Sequence, residues 1–331
     1  FSPNLVTVAE TETKTVNLKG KEPTAEKKVE NQDWASAQVG KKVTFKVTSQ
    51  VPDMTGKSEY HFKLKDKLSK GLTMTAADFV SVTIGNETLG KDKYEVKLTS
   101  NNQDGTTELE VTIKEFINYS EKAGENIVFE YQAEVNKDAV TVDKATNTAQ
   151  VGFGNKSDEL TFSKPDTVKV YTHTLTITKV DGKDQTPLAG AEFELYEGTS
   201  VQEGKIIKLV DEGKGVYHVP DTTELTTTTT VVSPTTGIIT IKGLKEGTYT
   251  LKETKAPDGY NKGKDTEITI TAESNDGGET VTVTGNTITV ENNSGLQLPS
   301  TGGMGTIIFV AAGVCVVGFL IFTSRKTKRT K

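Results

Sequence analysis

A single cysteine, Cys315, stands among the 331 residues, so the chain has no intrachain disulfide. With only three histidines besides, it has little to offer zinc or a transition metal. No cofactor is expected. Neither a Gly-x-Ser-x-Gly nor a His-Glu-x-x-His motif occurs, which argues against the common hydrolases. A net charge of -6 makes the chain a poor ligand for nucleic acid. Aromatic residues make up 7% and threonine recurs throughout, a balance that favours strands over packed helices.

A long apolar run occurs once, at the C-terminus. Gly302 to Ser324 carries no charge, and as a helix its 23 residues would span about 35 Å, enough to cross a bilayer. Arg325, Lys326, Lys328, Arg329 and Lys331 follow, which by the positive-inside rule places the C-terminus in the cytoplasm and all preceding residues outside. Directly upstream stands Leu298-Pro299-Ser300-Thr301-Gly302. Motif, span and basic tail in this order resemble the LPxTG sorting signal of Gram-positive surface proteins. The resemblance implies that a sortase cysteine attacks the Thr301 carbonyl and releases Gly302 onward. Thr301 then passes to an amine of cell-wall peptidoglycan or to a lysine of another pilin subunit. Membrane insertion is then transient, and the product is an extracellular, wall-anchored protein. The chain begins Phe1-Ser-Pro-Asn without a signal peptide, and is therefore expected to be a mature form or a fragment.

Period-two alternation fills most of the region outside the span. Val43/Phe45/Val47, Phe62/Leu64, Leu109/Val111/Ile113 and Ile127/Phe129/Tyr131/Ala133/Val135 each line one strand face. Turn signals such as Asp53-Met-Thr-Gly56 separate them. A polar, turn-rich stretch around 154–166 suggests a boundary near residue 170, after which a second set begins at Leu175/Ile177. The expected architecture is all-β: two tandem immunoglobulin-like β-sandwich domains followed by a C-terminal transmembrane sorting helix. The expected divisions are a leader over 1–22, domains over 23–170 and 171–293, and the sorting signal over 294–331. Residues 222–236, with five successive threonines, are expected to form a solvated loop or edge insertion.

In the second domain, Pro187-Leu-Ala-Gly-Ala-Glu-Phe-Glu-Leu-Tyr196 and Gly247-Thr-Tyr-Thr-Leu-Lys-Glu253-Thr-Lys-Ala-Pro-Asp-Gly-Tyr260 resemble the Cna-B domain of surface adhesins and pilins, the latter stretch its E-box. The first domain is similar to the fimbrial D2-type isopeptide domain through Gly40-Lys-Lys-Val-Thr-Phe-Lys-Val47, Asp66-Lys-Leu-Ser-Lys-Gly-Leu72 and Asn147-Thr-Ala-Gln-Val151. It departs from that pattern in placing a serine where proline is usual. As a whole the chain resembles a Gram-positive pilin subunit, a structural protein and not an enzyme. A lone adhesin binding host surface ligands is the alternative.

Side-chain parity bears on the chemistry this family implies. Lys179 shares a face with Leu175 and Ile177, Asn292 with Ile288 and Val290, and Glu253 with Tyr249 and Leu251. Lysine and glutamate are rarely buried unless paired. One reading is a buried Lys179–Glu253 ion pair with Asn292 a bystander. The other, implied by the family, is an isopeptide bond. Desolvation lowers the lysine pKa at a cost of about 5 kcal/mol for a shift from ~10.4 toward ~7. The neutral amine then attacks the Asn292 carboxamide with Glu253 as the acid. In the first domain Lys27 and Asp66 take the amine and acid roles. Asn147 and Asn155 are both in phase for the amide, and the Asn-Thr-Ala pattern of related repeats favours Asn147. The alternative leaves Lys27 solvated and Asp66 in a surface turn. Each bond is expected to tie the first strand of its domain to the last. The Tyr-Pro-Lys acceptor triplet of many backbone pilins is missing, leaving Lys19, Lys21, Lys164 and Lys169 as candidates for polymerisation.

Overall fold

The computed structural model describes residues 22–295 with the exception of Asn102. The Leu298–Gly302 motif, the apolar span, the basic tail, Lys19 and Lys21 lie outside the described residues.

The alternating segments form strands where their period predicts. In the first domain the longer ones are β1 (Glu26–Val29), β2 (Trp34–Ser36), β3 (Lys42–Gln50), β4 (His61–Leu68), β5 (Phe79–Ile84), β6 (Tyr94–Ser100), β7 (Thr107–Ile113), β8 (Asn126–Val135), β9 (Ala145–Gly154) and β10 (Asp166–Tyr171). One sheet orders β1, β3, β8 and β5, extended by two short strands. The other orders β2, β10, β9, β4, β7 and β6, with Thr161–Phe162 paired to β9. Strands β3 and β8 alternate buried and exposed residues along their lengths, and their antiparallel register sets Phe45 against Tyr131 and Val47 against Phe129. Phe45 and Tyr131 stack with ring centroids 5.5 Å apart, and Phe62 stacks on Phe116 at 4.9 Å. Burying side chains of this size contributes roughly 1.5–3 kcal/mol each. The β1–β2 turn places Glu30 and Asn31 at φ 48 and 64, and Val29 and Gln32 exchange backbone hydrogen bonds of 2.8 Å across it, as a tight two-residue turn requires.

The second domain contains β11 (His173–Asp181), β12 (Glu192–Glu197), β13 (Val216–His218), β14 (Ile238–Leu244), β15 (Gly247–Lys255), β16 (Thr266–Glu273) and β17 (Thr287–Asn292). Here β13, β14, β11 and β17 make one sheet, with Val210–Gly213 at its edge, and β12, β15 and β16 are the centre of the other. The molecule is thus two tandem immunoglobulin-like β-sandwiches.

One detail departs from the sequence reading. Tyr171 pairs in parallel with Ser36 and completes the first domain, so Thr172 and not residue 170 separates the sheets. Residues 166–171 form a strand because they pair along β9 on one side and with β2 on the other. The threonine tract is the expected, largely exposed loop, leading into a short edge strand, and contacts at its flanks tie it down. Thr222 donates to Glu134 through its N–H at 3.0 Å and its hydroxyl at 2.9 Å, and Thr228 exchanges 2.8 Å backbone bonds with Leu209.

Backbone and side-chain hydrogen bonds join the two sandwiches. Val39 N–H donates to Gly243 O at 3.0 Å, Tyr171 O–H to Gly278 O at 2.8 Å, and Lys137 N–H to Asp221 Oδ2 at 3.1 Å. Gly243 has φ +85, and a Cβ there would stand 2.8 Å from Val39 Cγ2, so glycine allows this approach. Ser36 Oγ accepts from Glu246 N–H at 2.7 Å and lies 2.8 Å from His173 Nε2. Burial lowers the pKa of His173 to about 4, so the imidazole is neutral and its tautomer sets which of the two groups donates.

Candidate cross-linking sites

Each sandwich buries one lysine, one carboxylic acid and one asparagine together, all six no more than 3% exposed. In the second domain β11 and β17 are parallel neighbours, with Lys179 opposite Val290 and Asn292 opposite Asp181. Lys179 Nζ donates to Val290 O at 3.2 Å and to Val180 O at 3.3 Å. It makes no ion pair with Glu253 among the described residues, so the bystander reading of Asn292 does not hold. Glu253 instead faces the amide: its Oε2 accepts from Asn292 Nδ2 at 2.9 Å and from Gly263 N–H at 2.5 Å. Asn261 O takes a second bond from Asn292 Nδ2 at 2.6 Å. Burial pushes the Lys179 pKa down, against the opposing pull of Glu253, Asp181 and Glu291.

The loop after the E-box closes this pocket. Tyr260 O–H donates to Asp181 Oδ2 at 2.7 Å, and Asn261 is bonded through its N–H to Asn293 O at 3.0 Å. A side chain on Gly263 would begin 3.3 Å from Glu253 Oε2. Asn261 and Gly263 act through backbone atoms, which leave no chemical mark in a sequence, and so escape a reading by residue type.

The first-domain set is arranged differently. Lys27 Nζ donates directly to Asp66 Oδ2 and to Tyr131 Oη, over the faces of Tyr131 and Phe45 at 5.0 and 5.2 Å from the ring centroids. Tyr131 O–H donates to Asp66 Oδ2 at 2.5 Å and accepts from Asn147 Nδ2 at 3.1 Å. Burial drives the Lys27 pKa down and that of Asp66 up, each against the charge of the other. In the second domain the acid therefore touches the amide. In the first it touches the amine. Lys28, on the other face of β1, is paired with Asp33 at 2.7 Å.

Of the two in-phase asparagines, Asn147 lies in the cluster, whereas Asn155 is exposed past the end of β9. Period two cannot see where a strand stops. Asn147 is also not on the last strand, because β10 follows it. Tyr131 was visible in the sequence only as one of five alternating apolar positions; its hydroxyl, which needs a partner when buried, was the available signal. Five buried carboxyl or amide oxygens among the described residues have no hydrogen-bond partner, and four of them belong to these two sites: Asp66 Oδ1, Asn147 Oδ1, Glu253 Oε1 and Asn292 Oδ1; the fifth is Gln38 Oε1. Buried acceptors left without partners are expensive unless chemistry resolves them.

Residues 39–157 match the Gram-positive pilin backbone subunit 2, Cna-B-like domain, and residues 173–287 match the prealbumin-like fold domain SpaA. The chain belongs to the Gram-positive pilins. A fimbrial subunit type 2 of Actinomyces naeslundii is 28% identical, the match covering 92% of this chain and 61% of that protein. The trypsin-resistant surface T6 protein of Streptococcus pyogenes serotype M6 is likewise 28% identical, over 69% of this chain and 40% of its own. The chain thus spans less than two thirds of each of these curated relatives. A 35 kDa C-terminal fragment of the major pilin GBS80 of Streptococcus agalactiae superimposes with TM-score 0.63 and 25% identity, covering 82% of this chain and 100% of the fragment. The matched families are those of structural pilin subunits and not of enzymes.

Proposed function

We propose that this pilin chain is a structural subunit of a surface fibre, joined to its neighbours or to peptidoglycan by a sortase through Thr301 and stapled internally by Lys179–Asn292 and Lys27–Asn147 isopeptide bonds. The observation that carries this reading is the burial of an amine, a carboxamide and an acid in each sandwich, with the acid bonded to the amide in one and to the amine in the other. Desolvation favours the neutral amine, which can attack the asparagine Cγ. The amine proton moves to Nδ2, the Cγ–Nδ2 bond breaks and ammonia leaves. The fold holds the reactants together, making a bimolecular reaction unimolecular. Each domain reacts once, so this is self-modification without turnover.

The two bonds divert load unequally. In the second domain, tension entering β11 at His173 would cross from Lys179 to Asn292 and leave by the C-terminus. In the first it would cross from Lys27 to Asn147 and still run through β9 and β10. Among the candidate acceptor lysines, Lys169 is withdrawn: it is buried and paired with Glu279 Oε1 at 2.7 Å. Its position on β10 aims it into the domain junction. Lys164 is exposed and stays a candidate, together with Lys19 and Lys21.

Intact mass of the chain tests the staples. Two ammonia losses of about 17 Da each are expected. Glu253→Ala should cancel one and Asp66→Ala the other. A mass equal to the sequence value would remove both bonds. Loss of detergent-resistant ladders from Thr301→Ala cells tests assembly separately.

A further inference from the structure

The phenol of Tyr131 touches every reacting group of the first-domain site. It accepts from Lys27 Nζ and from Asn147 Nδ2 at 3.1 Å, and donates to Asp66 Oδ2 at 2.5 Å. The second domain has no such group: there Lys179 faces backbone carbonyls and the acid itself reaches the amide. In the first domain Asp66 is bonded to Lys27 and to Tyr131 but not to the amide, so a proton leaving the lysine has no direct route from the acid to the departing nitrogen.

We propose that Tyr131 is a catalytic residue of the first-domain cross-link, relaying the proton from the attacking lysine nitrogen to the leaving amide nitrogen. The inference rests on the isopeptide reading above. As Lys27 Nζ bonds to Asn147 Cγ and Nδ2 becomes an amine with a free lone pair, the Tyr131 hydroxyl turns from Asp66 Oδ2 to Nδ2 and gives it its proton, while one Nζ proton passes to the phenol oxygen. The Cγ–Nδ2 bond then breaks and ammonia leaves. The tyrosine ends neutral, Asp66 ends as it began, and no other reactant is consumed. Asp66 orients the hydroxyl and draws on the amine. Burial and the neighbouring Asp66 charge hold the Tyr131 pKa well above its usual value, which keeps the phenol protonated and ready to donate. Oη is further held in place by its own ring, stacked between Phe45 and Phe79 at 5.5 and 6.5 Å.

Tyr131→Phe preserves that stacking and deletes only the hydroxyl. In newly synthesised chain followed by intact mass, we expect the first-domain ammonia loss to slow by roughly 10²-fold or more, the scale of general acid–base catalysis. The second-domain loss should proceed as in wild type, which certifies that the variant folds. Peptide mapping of the Lys27–Asn147 linkage assigns each loss to its domain. A wild-type rate of first-domain linkage in Tyr131→Phe overturns the relay. So does equal slowing in both domains, which would report a folding defect. Wild-type chain that keeps its first-domain ammonia instead removes the reaction itself, a result distinct from either.

Discussion

Lys179 and Asn292 lie two residues out of register on adjacent parallel strands, the lysine opposite Val290 and the asparagine opposite Asp181. The offset lets a long side chain reach along its neighbour strand toward a short one. It also places both near the C-terminal ends of the first and last strands of the domain. A bond there shields everything between the two positions from tension.

Force spectroscopy should read that shielding as missing length. With both bonds formed, only the segment between Asn147 and Lys179 can lengthen, by at most about 110 Å at full extension. Glu253→Ala should add the hidden loop from 179 to 292, about 400 Å more. Asp66→Ala should add the loop from 27 to 147, also about 400 Å. Wild-type chain that extends over its whole contour would sink the load-path argument.

An unlinked second domain should become more stable as pH rises. In Asn292→Ala, Lys179 stays an amine whose folded pKa is lowered by burial. Between that lowered value and the ordinary ~10.4, the unfolded chain binds more protons, so stability increases with pH through the window. Below the window both states are protonated and the penalty is constant. The wild-type amide nitrogen does not titrate. Urea midpoints measured from neutral to alkaline pH should therefore diverge between variant and wild type. Parallel profiles would contradict a buried amine.

Acid should loosen the joint between the sandwiches. With the His173 pKa lowered to about 4 in the docked state, the junction is at full strength above about 6.5 and loses strength as pH falls toward 4. The loss amounts to roughly 3 kcal/mol at low pH. Small-angle scattering should show a more extended molecule near pH 4 than at pH 7, and His173→Gln should flatten the difference. An unchanged profile at both pH values would mean that the histidine does not report on docking.

Much of the site was legible because side-chain direction in a strand is a local property. Each residue alternates faces whatever lies across the sheet, so Lys27, Asp66, Lys179, Glu253 and Asn292 could all be assigned to the interior from their apolar neighbours. The same rule could not choose Asn147 over Asn155, since strand ends are set by pairing, here of β9 with β4 and β10. It could not tell the working hydroxyl of Tyr131 from ring packing. Nor could it find the backbone donor at Gly263, or the pairing with β9 and β2 that draws 166–171 into the first domain.

Composition and period alone determined an all-β molecule with lysines, acids and amides turned inward. Which of them meet was decided only when distant stripes were brought to one depth by register and sheet stacking. The acid reached the amide in one domain and the amine in the other because contact between strands far apart in the chain depends on how the sheets close over each other. No alternation within a single strand carries that information.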